Sequence, residues 1–168
     1  MTNIAITGAC GRMGRVIAEL VKERNDCKIC AGIDLRGEQY ADFPVVEKVF
    51  ELPEKPDVII DFSHPSALED LLSYCKMKNV PIVIATTGYS EDEIQKIKLA
   101  AQQIPVFFTF NMSLGINLLA DLAKRAAEVL GTQFDVEIVE KHHNLKKDAP
   151  SGTAIMLAEA VNEVYKGE

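Results

Sequence analysis

"NIAITGACGRMGRVIAELV" (residues 3–21) decides the fold. It opens on a short apolar run, 3–7, continuous enough for a buried strand. It closes on helical spacing: a helix is expected over 14–25, with Val16, Ile17, Leu20 and Val21 on one face. Between the two stand Gly8, Gly11 and Gly14, spaced G-x-x-G-x-x-G. Glycine permits a tight turn and lets backbone N–H groups approach a pyrophosphate, which the helix N-terminus then stabilises. A glycine trio alone is weak, since many tight turns hold no ligand. Asp34 strengthens it, lying 20 residues after Gly14 at the end of the next apolar run, "KICAGI" (28–33). That is where a dinucleotide site places the acid for the adenosine ribose hydroxyls.

The alternation continues outward. "DVIIDF" (57–62), "PIVIAT" (81–86) and "PVFFTF" (105–110) read as further buried strands. Helices are expected at 65–79 with proline in the first turn, at 90–103 with a Ser90/Glu93 capping box, and at 113–131 ending at glycine. Strand then helix, repeated, is the pattern of a parallel sheet covered on both faces. The grammar then changes. "FDVEIVE" (134–140) alternates, with Phe134, Val136 and Ile138 against Asp135 and Glu137, and reads as a strand with one buried face. The expectation is an α/β chain: a Rossmann-type doubly wound parallel sheet over 1–112, then the start of a smaller α+β substrate domain over 113–168. Ligands in such sheets lie beyond the carboxyl ends of the strands, where "DFSHPS", "ATTGYS" and "FTFNMS" fall. Phe62, Thr86, Thr87, Gly88 and Asn111 are therefore candidate cofactor neighbours.

Composition narrows the classes. The 25 acidic residues outnumber 18 basic ones, for a net charge of -7, which argues against a general nucleic-acid binder. No apolar run reaches the length of a membrane span. The N-terminus enters a strand pattern with no signal-peptide features, so a cytoplasmic location is expected. Cys27 and Cys30 form a lone C-x-x-C without a second ligand pair; with Cys10 and Cys75 they read as reduced, apolar residues, and no metal is expected.

One stretch stands against the acidic background: "EKHHNLKKDAPSGTA" (140–154). Ser151 can cap a helix over "GTAIMLAEAVNEVY", whose first amides, at Gly152 and Thr153, make a carboxylate site. Histidine suits proton transfer near neutral pH, and lysine adds a fixed positive charge. In isolation such a run is more often a solvated loop. Its position beside an anion-binding helix start, after a nucleotide domain, favours a site.

At this point the sequence resembles the dihydrodipicolinate reductase (4-hydroxy-tetrahydrodipicolinate reductase) family of diaminopimelate and lysine biosynthesis. The motifs "GACGRMG", "DFSHP", "ATTG", "FNMSLGIN" and "EKHHNLKKDAPSGTA" carry the resemblance, in the family's order. It implies a nicotinamide-dependent reductase of a small cyclic dicarboxylate, and Asp34 followed by Leu35 makes NADH the expected cofactor, with NADPH tolerated. By motif position His142 and Lys146 are the catalytic pair: His142 gives or takes a proton, and Lys146 donates one or holds the imine form. His143, Gly152 and Thr153 are implied substrate contacts. Gly8, Ala9, Cys10, Gly11, Arg12, Met13, Asp34, Ala85, Thr86, Thr87, Thr109, Phe110, Asn111 and Met112 are implied cofactor contacts, with Phe62 beside them. The family forms homotetramers, and its pattern continues past Glu168 through the interface strands and a segment returning to the nucleotide domain. The expectation is therefore an incomplete second domain without the interface segment. Leu35 stands where some members have an arginine suited to a 2′-phosphate; Arg36 and Arg12 are the nearby substitutes. The rival readings are another Rossmann oxidoreductase of a small acid, and a truncated nucleotide-binding module without turnover.

Overall fold

A computed structural model describes residues 1–109, 111–144, 146 and 149–165. The chain divides into two compact units, Met1–Phe108 and Thr109–Glu168. The first unit thus ends four residues before the sequence-based boundary at 112, counting from Phe108.

The first unit is a six-stranded parallel sheet in the order β3-β2-β1-β4-β5-β6. Its strands are β1 (Thr2–Thr7), β2 (Cys27–Ile33), β3 (Val45–Val46), β4 (Val58–Asp61), β5 (Ile82–Ile84) and β6 (Val106–Phe108). That order is the dinucleotide-binding one, with the reversal of direction beside β1. The helices are α1 (Arg12–Lys22), α2 (Leu68–Lys78) and α3 (Glu91–Ala100). Alternate residues of the strands feed two cores. Ala5, Ile59, Ile82 and Ile84 pack with Leu68, Leu71, Cys75 and Ile97 of α2 and α3. Ile4 and Ile6 pack with Val21 of α1, flanked by Ile17, Ile29, Val58 and Ile60. Each fully buried isoleucine contributes about 2–3 kcal/mol of apolar transfer. The sheet is doubly wound because β1 and β4 are apolar on both faces. Cys30 and Cys75 sit in the first core as small apolar residues, and burial pushes the Cys75 thiol up to about 12.

Sequence expectations and structure part in three places here. Helix α1 begins at Arg12, inside the glycine loop, and its buried stripe is Gly14, Ala18 and Val21. Val16 and Leu20 are 44% and 58% exposed. The stripe follows the small residues because close approach decides it: a Cβ on Gly14 would lie 2.4 Å from the Gly8 carbonyl oxygen. The two-residue β3 was too short to carry a periodic signal. Third, 134–140 pairs with no strand among the described residues. Phe134 has extended dihedrals, but Phe134 and Val136 are 55% and 50% exposed. Alternation shows only that a segment suits a half-buried ladder; the ladder also needs a neighbour to take its backbone hydrogen bonds.

The second unit holds α4 (Leu114–Leu130) and α5 (Gly152–Tyr165). Ser113 caps α4 by accepting the Ile116 amide, and Gly131 ends it at φ 66°. The two helices pack together, and Lys124 reaches Glu163 at 2.5 Å. The expected caps at Ser90 and Ser151 are also formed.

Candidate active site

In the first unit a cleft of about 480 Å³ opens at the carboxyl ends of β1, β2 and β4. Gly8, Gly11, Asp34, Leu35, Arg36, Lys48, Phe62, Ser63 and His64 line it. Gly8 has φ 72°, and a Cβ there would meet the Phe62 carbonyl oxygen at 2.3 Å, so only glycine lets the two loops close on each other. Ala9 and Cys10 lie buried behind it. The first helical bond of α1 is Arg15 N–H to Gly11 at 3.1 Å, so the amides of Arg12 and Met13 precede any intrahelical acceptor. They carry the positive end of the helix dipole.

Asp34 makes contacts that its spacing did not reveal. Its carboxylate accepts the Cys10 amide at 2.9 Å and the Arg36 amide at 3.0 Å, so it pins the glycine loop to the end of β2. Leu35 is 82% exposed. Arg15 is engaged elsewhere, pairing with Glu38 at 3.0 Å and lying 4.3 Å over the Tyr40 ring.

Asp61 is the residue here that sequence reasoning missed. It is 0% exposed and ends β4. It accepts the Thr7 hydroxyl, the Ser63 hydroxyl at 2.5 Å, the Ser63 amide at 3.1 Å and the Tyr89 hydroxyl at 3.2 Å. Thr7 precedes the glycine loop, Ser63 follows Phe62, and Tyr89 follows the "ATTG" turn, so one carboxylate ties three loops together. Burial, and then the Asp61 charge, push the Tyr89 phenol up. The signal was the acid ending an otherwise apolar strand in "DVIIDF". Ala85, Thr86 and Thr87 lie outside the cleft lining; Ala85 bonds back to the Asp61 carbonyl at 2.9 Å, Thr86 is buried and Thr87 is exposed.

Of the remaining expected cofactor residues, Thr109, Asn111 and Met112 fall in the second unit, and Phe110 lies outside the described residues. Asn111 donates to the Thr153 hydroxyl at 2.9 Å and accepts the Ser113 amide at 2.8 Å. It therefore joins the start of α4 to the first turn of α5. Met112 is 45% exposed.

At the start of α5, Ser151 is 4% exposed and its hydroxyl accepts the Ala154 amide at 3.1 Å. Gly152 and Thr153 form the first turn. Glu140, again missed in the sequence, accepts the Ser151 amide at 2.9 Å through Oε1 and meets His142 Nε2 at 2.8 Å through Oε2. The Ser151 side chain first, His142 next and the Ser151 amide third hold the Glu140 carboxyl down at about 2. The sequence signal was the two-residue spacing in "EKH", which puts both side chains on one side of an extended chain. His142 and His143 are exposed; the Lys146 amide donates to the His143 carbonyl at 3.2 Å, and the Lys146 side chain is partly covered. Glu140 thus links the expected His142 to the helix cap, and the Lys146 backbone returns to His143, the neighbour of His142.

Residues 2–112 match the family pattern described as "Dihydrodipicolinate reductase, N-terminus", and residues 115–168 match "Dihydrodipicolinate reductase, C-terminus". The chain belongs to the dihydrodipicolinate reductase family. It is 49% identical over 98% of its length to the 4-hydroxy-tetrahydrodipicolinate reductase of Caldanaerobacter subterraneus subsp. tengcongensis, and 44% identical over 97% to that of Clostridium tetani. It spans 64% of the length of each of these two reductases. Among solved structures, a dipicolinate-bound dihydrodipicolinate reductase from Paenisporosarcina sp. TG-14 superposes with a TM-score of 0.77 at 30% identity, covering 98% of this chain and 66% of that one. The family membership agrees with the resemblance read from the motifs, and the Rossmann-type sheet agrees with the expected fold. Among the described residues no helix is long and apolar enough to cross a membrane.

Proposed function

We propose that this chain carries out the NAD(P)H-dependent reduction of 4-hydroxy-tetrahydrodipicolinate to tetrahydrodipicolinate, in the cytoplasm. One observation carries the reading: a chain that matches both halves of the reductase family holds a glycine-loop cleft in one unit and a histidine–carboxylate pair at a capped helix start in the other. The cleft fits a dinucleotide on its own evidence. A Cβ at Gly8 would fill the approach, and the amides of Arg12 and Met13, ahead of the first helical bond of α1, suit an anion. Gly8 to Met13 would line the pyrophosphate, with the amides of Arg12 and Met13 as its donors because those of Gly8, Ala9, Cys10 and Gly11 bond within the fold, and Asp34 would hold the adenosine ribose. Bound there, the reduced nicotinamide supplies a hydride.

The chain's own groups do the rest. Gly152 and Thr153 offer backbone donors to a substrate carboxylate, and His143 would add a further contact to it. The 4-hydroxyl leaves as water, and the unsaturated ring that remains takes the hydride; Lys146 places a positive charge where negative charge develops, and it or His142 delivers the proton to the neighbouring ring atom. Lysine also favours approach of a dianion to an otherwise acidic protein. Asp34 favours NADH, because a carboxylate accepts ribose hydroxyls and repels a 2′-phosphate; Arg36 and Lys48 in the same cleft moderate the repulsion. The test is NADH oxidation by the purified chain across a panel of small acids. Oxidation that requires 4-hydroxy-tetrahydrodipicolinate supports the proposal. Oxidation driven equally by unrelated 2-oxo acids points to another oxidoreductase, and NADH binding without oxidation points to a binding module.

A further inference from the structure

We propose that Glu140 fixes the tautomer of His142, keeping the proton on Nε2 and leaving Nδ1 as the nitrogen that exchanges a proton with substrate. The two oxygens of the carboxylate are committed to different partners, the Ser151 amide at 2.9 Å and His142 Nε2 at 2.8 Å. An ionised carboxylate only accepts hydrogen bonds. Glu140 is ionised at neutral pH, its carboxyl held at about 2 by Ser151 and His142. Nε2 therefore donates, in the neutral ring as in the charged one. A neutral imidazole has a single N–H, so Nδ1 keeps its lone pair.

The Ser151 anchor makes the arrangement rigid. Ser151 is 4% exposed, and its hydroxyl is used as the cap of α5. Glu140 cannot swing away without stripping a buried amide of its acceptor. Glu140 acts through His142 and is a positioning residue. The tautomer follows from these contacts alone; its catalytic meaning rests on the reductase reading above.

Glu140→Gln tests the idea, because the same anchor dictates how the amide must sit. The Ser151 N–H needs an oxygen, so the amide NH₂ faces His142. Nε2 must then accept, and the ring changes to the Nδ1–H tautomer. Long-range ¹H–¹⁵N spectra of the imidazoles distinguish the two forms at about pH 8.5, where histidine is largely neutral. The chain has three histidines, so spectra of His64→Asn and His143→Asn assign the third. The expected result is Nε2–H in the wild type and Nδ1–H in Glu140→Gln, with kcat lower by on the order of tenfold and KM little changed. An Nδ1–H wild type, or the same tautomer in both proteins, overturns the assignment. A tautomer change with unaltered kcat overturns the role of Nδ1. Should Glu140→Gln fail to fold, the wild-type spectrum decides alone. The spectra need no turnover, so failure of the reductase reading and failure of this one are separately visible.

Discussion

Replacing Asp61 with alanine strikes the nucleotide unit where three loops meet. The carboxylate receives the Thr7, Ser63 and Tyr89 hydroxyls and the Ser63 amide, and alanine removes the acceptor from all of them. Thr7 is 1% exposed, so water does not replace what it loses. An unpaired buried donor costs about 1–3 kcal/mol. The Thr7 hydroxyl and the Ser63 amide lose most, whereas the Ser63 and Tyr89 hydroxyls can rotate toward other acceptors. Against about 2–6 kcal/mol of lost pairing stands the relief of no longer desolvating a carboxylate. A net loss of about 2–4 kcal/mol is expected. Asp61→Asn keeps one oxygen for Thr7 and Ser63, and its amide can donate to the Tyr89 oxygen. Its expected cost is about 1 kcal/mol. The same network sets the spacing between Gly8 and Phe62, so Asp61→Ala should also weaken NADH binding by about tenfold, or about 1.4 kcal/mol. Urea unfolding and a nicotinamide-fluorescence titration on wild type, Asn and Ala variants provide both numbers. An alanine variant as stable as wild type, and more stable than the asparagine variant, would refute the reasoning. The carboxylate would then be an uncompensated buried charge and not the organiser of the cleft.

Asp34→Ala should weaken NADH binding more than NADPH binding and should free the Cys10 and Arg36 amides; tighter binding of NADPH than NADH by the wild type contradicts the ribose assignment. Lys146→Gln should lower kcat by on the order of a hundredfold with a smaller change in KM, and steady-state kinetics showing a rise in KM alone would reduce Lys146 to substrate steering. Acid should release Glu140. Its carboxyl is depressed in the fold from 4.5 to about 2, so its link to Ser151 is complete above the unfolded value and is lost as pH falls through the folded one. Hydrogen-exchange protection of the Ser151 amide should therefore persist down to about pH 4.5 and fade toward 2; loss already at about pH 6 would show that Glu140 does not hold it.

The nucleotide half was readable because its signals are local. A strand, a glycine loop and a helix are contiguous in 3–21, and Asp34 lies at the next strand end. Even there, the spacing suggested a ribose contact for Asp34 and said nothing of its grip on the Cys10 amide, which belongs to the folded loop. Asp61 escaped because its partners are 54 and 28 residues away along the chain, at Thr7 and Tyr89. The face of α1 was read in part: Ile17 and Val21 pack on the sheet, but Val16 and Leu20 stay exposed because the close fit at Gly14 sets the buried stripe along Gly14, Ala18 and Val21. In the second half the cap at Ser151 was legible, since it acts on an amide three residues on. The alternation of 134–140 was read correctly as a pattern, but a pattern does not supply the neighbouring strand. Glu140 was visible in the quoted motif and passed over because its partner at Ser151 is 11 residues away.

The most direct test of the central claim follows the hydride itself. The chain is incubated with 4-hydroxy-tetrahydrodipicolinate and NADH deuterated at C4 on both faces, and the product is weighed by mass spectrometry. The account predicts tetrahydrodipicolinate carrying deuterium at carbon, formed more slowly by Lys146→Gln. Unlabelled product, or no product from a chain that binds NADH, would contradict it.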